Sequence, residues 1–148
     1  MQQLHDPGTN QTHIVLVNAV IFKGDKVLVS QRSWKETHAP GKWTIPGGKV
    51  ERTAGGVYGV IEKTLKDEVR EETGVEIEDS VELISNNTFI RSTGHHVISL
   101  VFKCKYKSGE AKPLEDTIDC RWVTLEEAKK MEFAPSIKEC IELAFKRN

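Results

Sequence analysis

From His13 to Phe22 the chain reads HIVLVNAVIF, apolar at Ile14, Leu16, Val20 and Phe22 and also at the alternate positions Val15, Val17, Ala19 and Ile21. A strand apolar on both faces predicts burial between two layers. KGDK at 23–26 reads as a hairpin turn and VLVSQR as the return strand. Residues 33–60 gather glycines and two prolines, which predicts loop, with a short strand at KWTI. The helical period is strongest over Ile61–Thr73, with Gly74 as a C-terminal cap. A second hairpin follows: Val81–Arg91, a turn at STG, then His95–Lys107. In its return strand His96, Ile98, Leu100, Phe102, Cys104 and Tyr106 share one mostly apolar face. Lys103, Lys105 and Lys107 lie on the other, which reads as solvated. DCRWV is a short strand, and TLEEAKKM opens on a capping box of Thr124 and Glu127. Ile137, Cys140, Ile141, Ala144 and Phe145 make the apolar stripe of a C-terminal helix. The pattern predicts an α/β fold with helices on both sides of a mixed sheet.

Length and charge narrow this picture. With 148 residues and no repeat or linker-like stretch, the chain reads as a loose tail over 1–12 and one domain over 13–148. Basic and acidic side chains nearly balance, 21 against 22, which gives no support to a broad nucleic-acid-binding surface. MQQLHDPGTNQT lacks the apolar core of a secretory signal, and the longest apolar run is interrupted by Asn18 and too short to span a bilayer. Three cysteines without a CxxC pair read as reduced, packed thiols. A cytoplasmic protein without membrane association is the default expectation.

The candidate chemistry lies in DEVREETG, residues 67–74. Asp67, Glu68, Glu71 and Glu72 crowd the C-terminal end of the predicted helix, where the backbone dipole disfavours acids. Asp67–Glu71 and Glu68–Glu72 are like-charge i,i+4 pairs, each costing roughly 0.2–0.5 kcal/mol. On the helical wheel Ile61, Leu65 and Val69 adjoin this acidic arc, and Lys63, Lys66 and Arg70 are assigned to the opposite side. Spacing alone leaves two readings open, a solvated acidic surface or a site for a cation. Carboxylates at i, i+3 and i+4 can converge on magnesium, which accepts a few carboxylates together with water and phosphate oxygens.

The segment upstream bears on this choice. IPGGKVE is a glycine-rich turn in which Gly47 and Gly48 would let a backbone carbonyl approach a ligand closely. From Gly48 to Val75 the chain resembles the signature of the Nudix hydrolases, G-x5-E-x7-R-E-U-x-E-E-x-G-U with U apolar. PGGKVE matches its first part and EVREETGV its second, with weaker likeness in DKVLVSQR and CRWVTLEEA, so the resemblance covers about residues 13–130. Two departures stand out. The stretch from Gly48 to Asp67 is five residues longer than the family spacing, the excess lying in RTAGGVYG. The signature arginine is Asp67 here, and its first glutamate has no equivalent, Ala54 or Gly59 standing at the two countable positions. The two members of the family's loop-to-helix tie are thus missing together, and the loop over residues 52–60 is expected to be held differently.

The resemblance implies an α/β/α sandwich and hydrolysis of a phosphoanhydride in a nucleoside diphosphate derivative, with Mg2+ or Mn2+ as cofactor. Carried over by position, Glu71 and Glu72 are metal ligands, and Glu68 is a ligand or the base that takes the proton of the attacking water. A carbonyl of Gly47 or Gly48 completes the shell. Glu115, with Asp116, stands in the late loop where some members place a further ligand or base. Arg32, Lys49 and Phe89 are the substrate-contact candidates, with Trp34, His95 and His96 as further pocket candidates. By elimination of the extra markers of other subfamilies, a nucleoside triphosphate, ordinary or oxidised, is the favoured small-molecule partner. The alternatives are a nucleotide sugar or ADP-ribose as substrate, or a catalytically silent nucleotide sensor of the same fold. An isoprenoid diphosphate isomerase ranks last, because no cysteine lies in or beside the signature. Oligomeric state stays open, a homodimer included.

Overall fold

The protein was analysed as a computed structural model, which describes residues 12–147. The expected tail at 1–12 falls almost wholly outside these residues. The strands are β1 (Ile14–Lys23), β2 (Lys26–Arg32), β3 (Trp43–Thr44), β4 (Gly47–Lys49), β5 (Glu76–Ile77), β6 (Glu82–Ile90), β7 (His96–Ser108) and β8 (Thr117–Val123). Three helices accompany them, α1 (Val60–Thr73), α2 (Leu125–Lys129) and α3 (Ile137–Lys146).

The sheet is mixed because its two longest strands run side by side in parallel. β1 pairs with β7 from Ile14↔Val97 to Phe22↔Lys105. β2 returns antiparallel from the turn at 24–25 and carries β3 and β8, and β6 closes its hairpin on β7. β4 pairs antiparallel with the middle of β1, Asn18↔Gly47 and Leu16↔Lys49. That register gives β1 strand neighbours along both edges.

Each face of β1 feeds a separate core. Val17, Ala19 and Ile21 pack with Leu28, Phe102 and Cys104 beneath Leu65 and Val69 of α1. Val20 points the other way, with Val27, Val29 and Val101, beneath Ala128 of α2 and Ile141 and Ala144 of α3. The arrangement is the expected α/β/α sandwich. Helix α1 ends as its sequence predicts: Gly74 is left-handed at φ 77°, and its N–H donates to the Arg70 carbonyl. The three thiols are free, Cys104 buried and the other two partly so. Burial pushes the Cys104 thiol up to about 12. Among the described residues no helix is long and apolar enough to cross a membrane.

One face reads differently from its sequence pattern. Val97 and Val101, which alternate with the apolar set on β7, are themselves buried, so β7 is covered on both sides. Lys103 is accordingly no solvated residue. Its ammonium donates to the carbonyls of Ala144 (3.0 Å) and Arg147, and lies 4.6 Å from the centroid of the Phe22 ring. It caps the C-terminus of α3, where a cation is favoured. Lys105 and Lys107 are exposed as expected.

The capping box of α2 is formed in both directions. The Glu127 N–H donates to Thr124 Oγ1 at 3.2 Å, and the Thr124 N–H donates to Glu127 Oε1 at 2.8 Å. Thr124→Ala is expected to destabilise the protein by about 1 kcal/mol, lowering Tm by about 2–4 °C. Urea unfolding measures this directly, and a midpoint equal to wild type would show the cap to be idle.

Candidate active site

The site begins with two glycines and one helix. At Gly48 a Cβ would fall 1.8 Å from Glu68 Oε1, and at Gly47 it would fall 2.3 Å from the Val17 carbonyl oxygen. Neither position has room for a side chain, so β4 lies directly against α1 on one side and β1 on the other. The closest neighbour of Gly48 is thus the Glu68 carboxyl. The Gly47 N–H donates to Glu72 Oε1 at 3.3 Å.

This approach gathers the acids of α1. Glu72 is largely buried, and burial raises its carboxyl from 4.5 to about 8, against the opposing pull of the Gly47 hydrogen bond. The charges of Glu68 and Glu115 raise it further, and that of Arg32 lowers it. Glu68 is raised to about 7, first by burial, then by a hydrogen bond with the Glu71 carboxyl, then by the charges of Glu71, Glu115 and Glu51. Glu68 and Glu71, one helical turn apart on α1, line the same cavity. Among the described residues no three His, Cys, Asp or Glu side chains are disposed to hold a metal ion as they stand. The donor chemistry nonetheless suits a hard divalent cation, since these are carboxylate oxygens gathered at one end of a helix beside the backbone of β4.

Glu115 is brought to the cluster by the end of the helix. The Leu114 N–H donates to the Glu72 carbonyl and the Lys112 N–H to the Thr73 carbonyl, each at 3.0 Å. These bonds satisfy carbonyls that the last turn of a helix leaves unpaired. Glu115 then takes a left-handed conformation, φ 50°, unusual for a residue with a side chain. Its neighbour Asp116 accepts from the Ser33 N–H at 3.2 Å, tying the same loop to the end of β2.

Two cavities flank the cluster. The smaller, about 130 Å³, lies between Glu72, Glu115, Asp116 and Arg32, with buried Ser30 and half-buried Thr44 also lining it. The larger, about 510 Å³, opens between Glu68 and Glu71 of α1 and the segment that carries Lys49 and Arg52. Arg32 faces the smaller cavity, but two of its donors are engaged within the following loop. Nε bonds the His38 carbonyl and a terminal nitrogen pairs with Glu36, both at 2.9 Å.

The other sequence candidates are scattered. Phe89 stands on β6, 42% exposed, and lines neither cavity. Trp34 is 70% exposed, its ring resting so close to Gly41 that a Cβ there would meet it at 2.3 Å. His95 bonds Thr93 Oγ1 through Nδ1, and His96 packs on His13 at 4.7 Å between centroids. Glu51 was not singled out by the sequence, yet its charge acts on Glu68 and it lines the larger cavity. The signal available was its place three residues past Gly48, just beyond the strand that approaches the helix.

Asp67, the residue in the signature's arginine position, is paired along its own helix. It accepts from Lys63 at 2.6 Å and from Arg70 at 2.8 Å, and Arg70 also reaches Glu76 at 3.9 Å. The hydrogen bonds of Lys63 and then Arg70 hold its carboxyl below the usual range. Lys63 and Arg70 therefore lie beside the acidic arc rather than opposite it, because they are i−4 and i+3 from Asp67.

Comparison with known proteins agrees with this geometry. The model of the NUDIX domain family matches residues 12–144. A MutT-like protein of Streptomyces ambofaciens is 28% identical over 131 residues, covering 88% of this chain and 76% of that protein. The crystal structure of a MutT protein from Methanosarcina mazei Go1 superposes with a TM-score of 0.72 at 27% identity, over 95% of this chain and 99% of that one. The NUDIX domain of Shewanella oneidensis NrtR, solved with ADP ribose, gives 0.77 at 23% identity, over 97% and 93%. A glycine-backed row of glutamates on the helix after β4, in a chain matched over nearly its whole described length, places this protein in the NUDIX domain family, as a pyrophosphohydrolase acting on nucleotide derivatives.

Proposed function

We propose that the protein hydrolyses a phosphoanhydride of a nucleoside triphosphate, ordinary or oxidised, to the monophosphate and pyrophosphate. One observation carries this reading: the approach of β4 to α1, with the Gly47 N–H on Glu72 and the Glu68 carboxyl against Gly48, crowds Glu68, Glu71 and Glu72 onto the walls of the two cavities, with Glu115 on the smaller. Such crowding is unfavourable in the protein alone and becomes favourable once a divalent cation and an anionic substrate join it. Glu71, Glu72 and Glu68, with a carbonyl oxygen of Gly47 or Gly48, would hold Mg2+ or Mn2+. When bound, that ion neutralises phosphate oxygens and acidifies water.

The remaining roles fall to the chain's own groups. The oxygen of a water molecule bonds to phosphorus, the bridging P–O bond breaks, and its electron pair leaves with pyrophosphate. The water's proton passes to Glu68 on α1 or to Glu115 in the loop before β8. Lys49 lines the larger cavity and Arg32, with its unengaged donors, the smaller, and both suit phosphate oxygens. Phe89 has no part in this reading. Three reduced thiols and a nucleotide substrate accord with a cytoplasmic setting. Hydrolysis of ADP-ribose is a second reading, favoured by the ADP ribose held by the similar Shewanella domain.

Turnover on a panel of nucleoside triphosphates, nucleotide sugars and ADP-ribose with Mg2+ separates these readings. Release of pyrophosphate from triphosphates is expected, whereas binding without any product would mark a silent sensor. Glu71→Gln and Glu72→Gln are each expected to lower turnover by about 100-fold or more while the fold is kept. Wild-type rates in either variant would remove that residue from the ligand set.

Stability of the metal-free protein should depend on pH through the same groups. An acid raised on folding from 4.5 to about 8, as Glu72 is, contributes stability that is complete below 4.5 and lost as pH rises through 8. Glu68, raised to about 7, acts in the same direction but is more exposed and contributes less. Without metal, Tm is expected to fall by at least about 5 °C from pH 5 to pH 8, and millimolar Mg2+ to restore most of the loss. Calorimetry with and without Mg2+ is the check; a flat metal-free profile would mean that the cluster is solvated.

A further inference from the structure

The larger cavity owes its outer wall to the segment that departs from the family spacing. Residues 52–59 are all exposed, and a Cβ at Gly55, Gly56 or Gly59 would meet nothing within 4 Å. Tyr58 is fully exposed, and the segment's side-chain hydrogen bond, Thr53 Oγ1 to the Gly55 carbonyl at 2.7 Å, is internal to it. A segment that packs on so little adds nothing to the core; through Arg52, Thr53 and Val57 it walls one side of an open cleft. The volume of the cleft, about 510 Å³, lies within the roughly 300–1,000 Å³ of small-molecule sites.

The walls of this space indicate what it suits. Three cations line it, but Lys63 is bound to Asp67, so its charge is spent within α1. Lys49 and Arg52 have no ion-pair partner among the described residues. Glu68 and Glu71 form the wall shared with the proposed reaction centre. Once a divalent cation compensates those two, Lys49 and Arg52 outnumber Glu51, and the cavity favours an anion. A nucleobase is poorly served here, since no aromatic ring lines the cavity and its apolar contribution is Val57 and Val60.

We propose that this cavity receives the phosphate-bearing group on the far side of the scissile linkage, and that Arg52 is the specificity-determining residue that grips it. The proposal rests on the hydrolase reading above. A guanidinium carried on a free-standing segment can offer two parallel donors to one phosphate, which an ammonium cannot. The five additional residues would then set how large and how charged a leaving group the enzyme accepts.

Pyrophosphate and the nucleoside monophosphate, used as competing inhibitors in the presence of Mg2+, probe the two sides of the linkage separately. Arg52→Gln is expected to weaken inhibition by pyrophosphate about tenfold, the loss of one charge-assisted contact, and to raise KM for the triphosphate by a similar factor. Inhibition by the monophosphate and kcat should stay within about twofold of wild type. Arg52→Lys should recover part of the loss. Equal pyrophosphate inhibition in wild type and Arg52→Gln, or an equal loss for both inhibitors, would overturn the proposal. If the wild-type protein hydrolyses no triphosphate, the triphosphate reading fails on its own. Calorimetric titration with magnesium pyrophosphate then decides the cavity's role, and the same heat from wild type and Arg52→Gln refutes it.

Discussion

Everything about the site depends on β4 lying against α1 with no side chain between them. The helix is fixed from beneath by Leu65 and Val69, fully buried over the first core. Burying two such side chains contributes on the order of 1.5–3 kcal/mol each. Each like-charge pair on the adjoining arc costs only a few tenths. Packing therefore decides where the helix sits, and the glutamates must accept the consequence. Gly47 and Gly48 then set how severe that consequence is. With any larger residue at 48 the Glu68 carboxyl would be pushed outward into water, and its protonation would return toward the ordinary range.

The same contact links the site's parts through the backbone. Glu72 holds Gly47 through its carboxyl and Leu114 through its carbonyl, so one residue connects β4, α1 and the loop of Glu115. Displacing any of the three disturbs the other two. The left-handed turn at Glu115 is kept in place by hydrogen bonds on both sides, from Leu114 to the helix and from Ser33 to Asp116. A strained conformation so firmly held fits a residue whose placement matters more than its local comfort.

Much of this was legible in the sequence, and the reason is that the legible parts are local. The doubly apolar pattern of β1, the glycine cap of α1, the capping box of α2 and the stripe of α3 each follow from neighbouring residues alone. So does the glutamate row, whose i, i+3, i+4 spacing fixes one helical arc whatever surrounds it. What escaped the sequence is non-local. Lys103 alternates with apolar residues as a solvated lysine would, yet α3 ends above it and its carbonyls take the ammonium. Phe89 has an aromatic's credentials for a pocket, but its register opposite Val97 sends it to the outer end of the β6–β7 hairpin. Glu51 carries no periodic signal, and only the approach of the strand before it to α1 brings its charge to Glu68.

Asp67 shows how a departure from a family pattern can be electrostatically closed. An arginine at this position would sit between Lys63 and Arg70 and repel both. As an aspartate it accepts from each, which lowers its own pKa and engages two cations beside the glutamate row. The helix is thereby complete without a partner from the preceding loop. A loop released from that duty is free to be longer, because each doubling of a flexible loop's length adds only about 0.6 kcal/mol of closure entropy. The inverted charge and the additional residues are then one change rather than two. The tie is replaced within α1, and the freed segment leaves Arg52 and Lys49 beside the cluster with charges that nothing in the helix consumes.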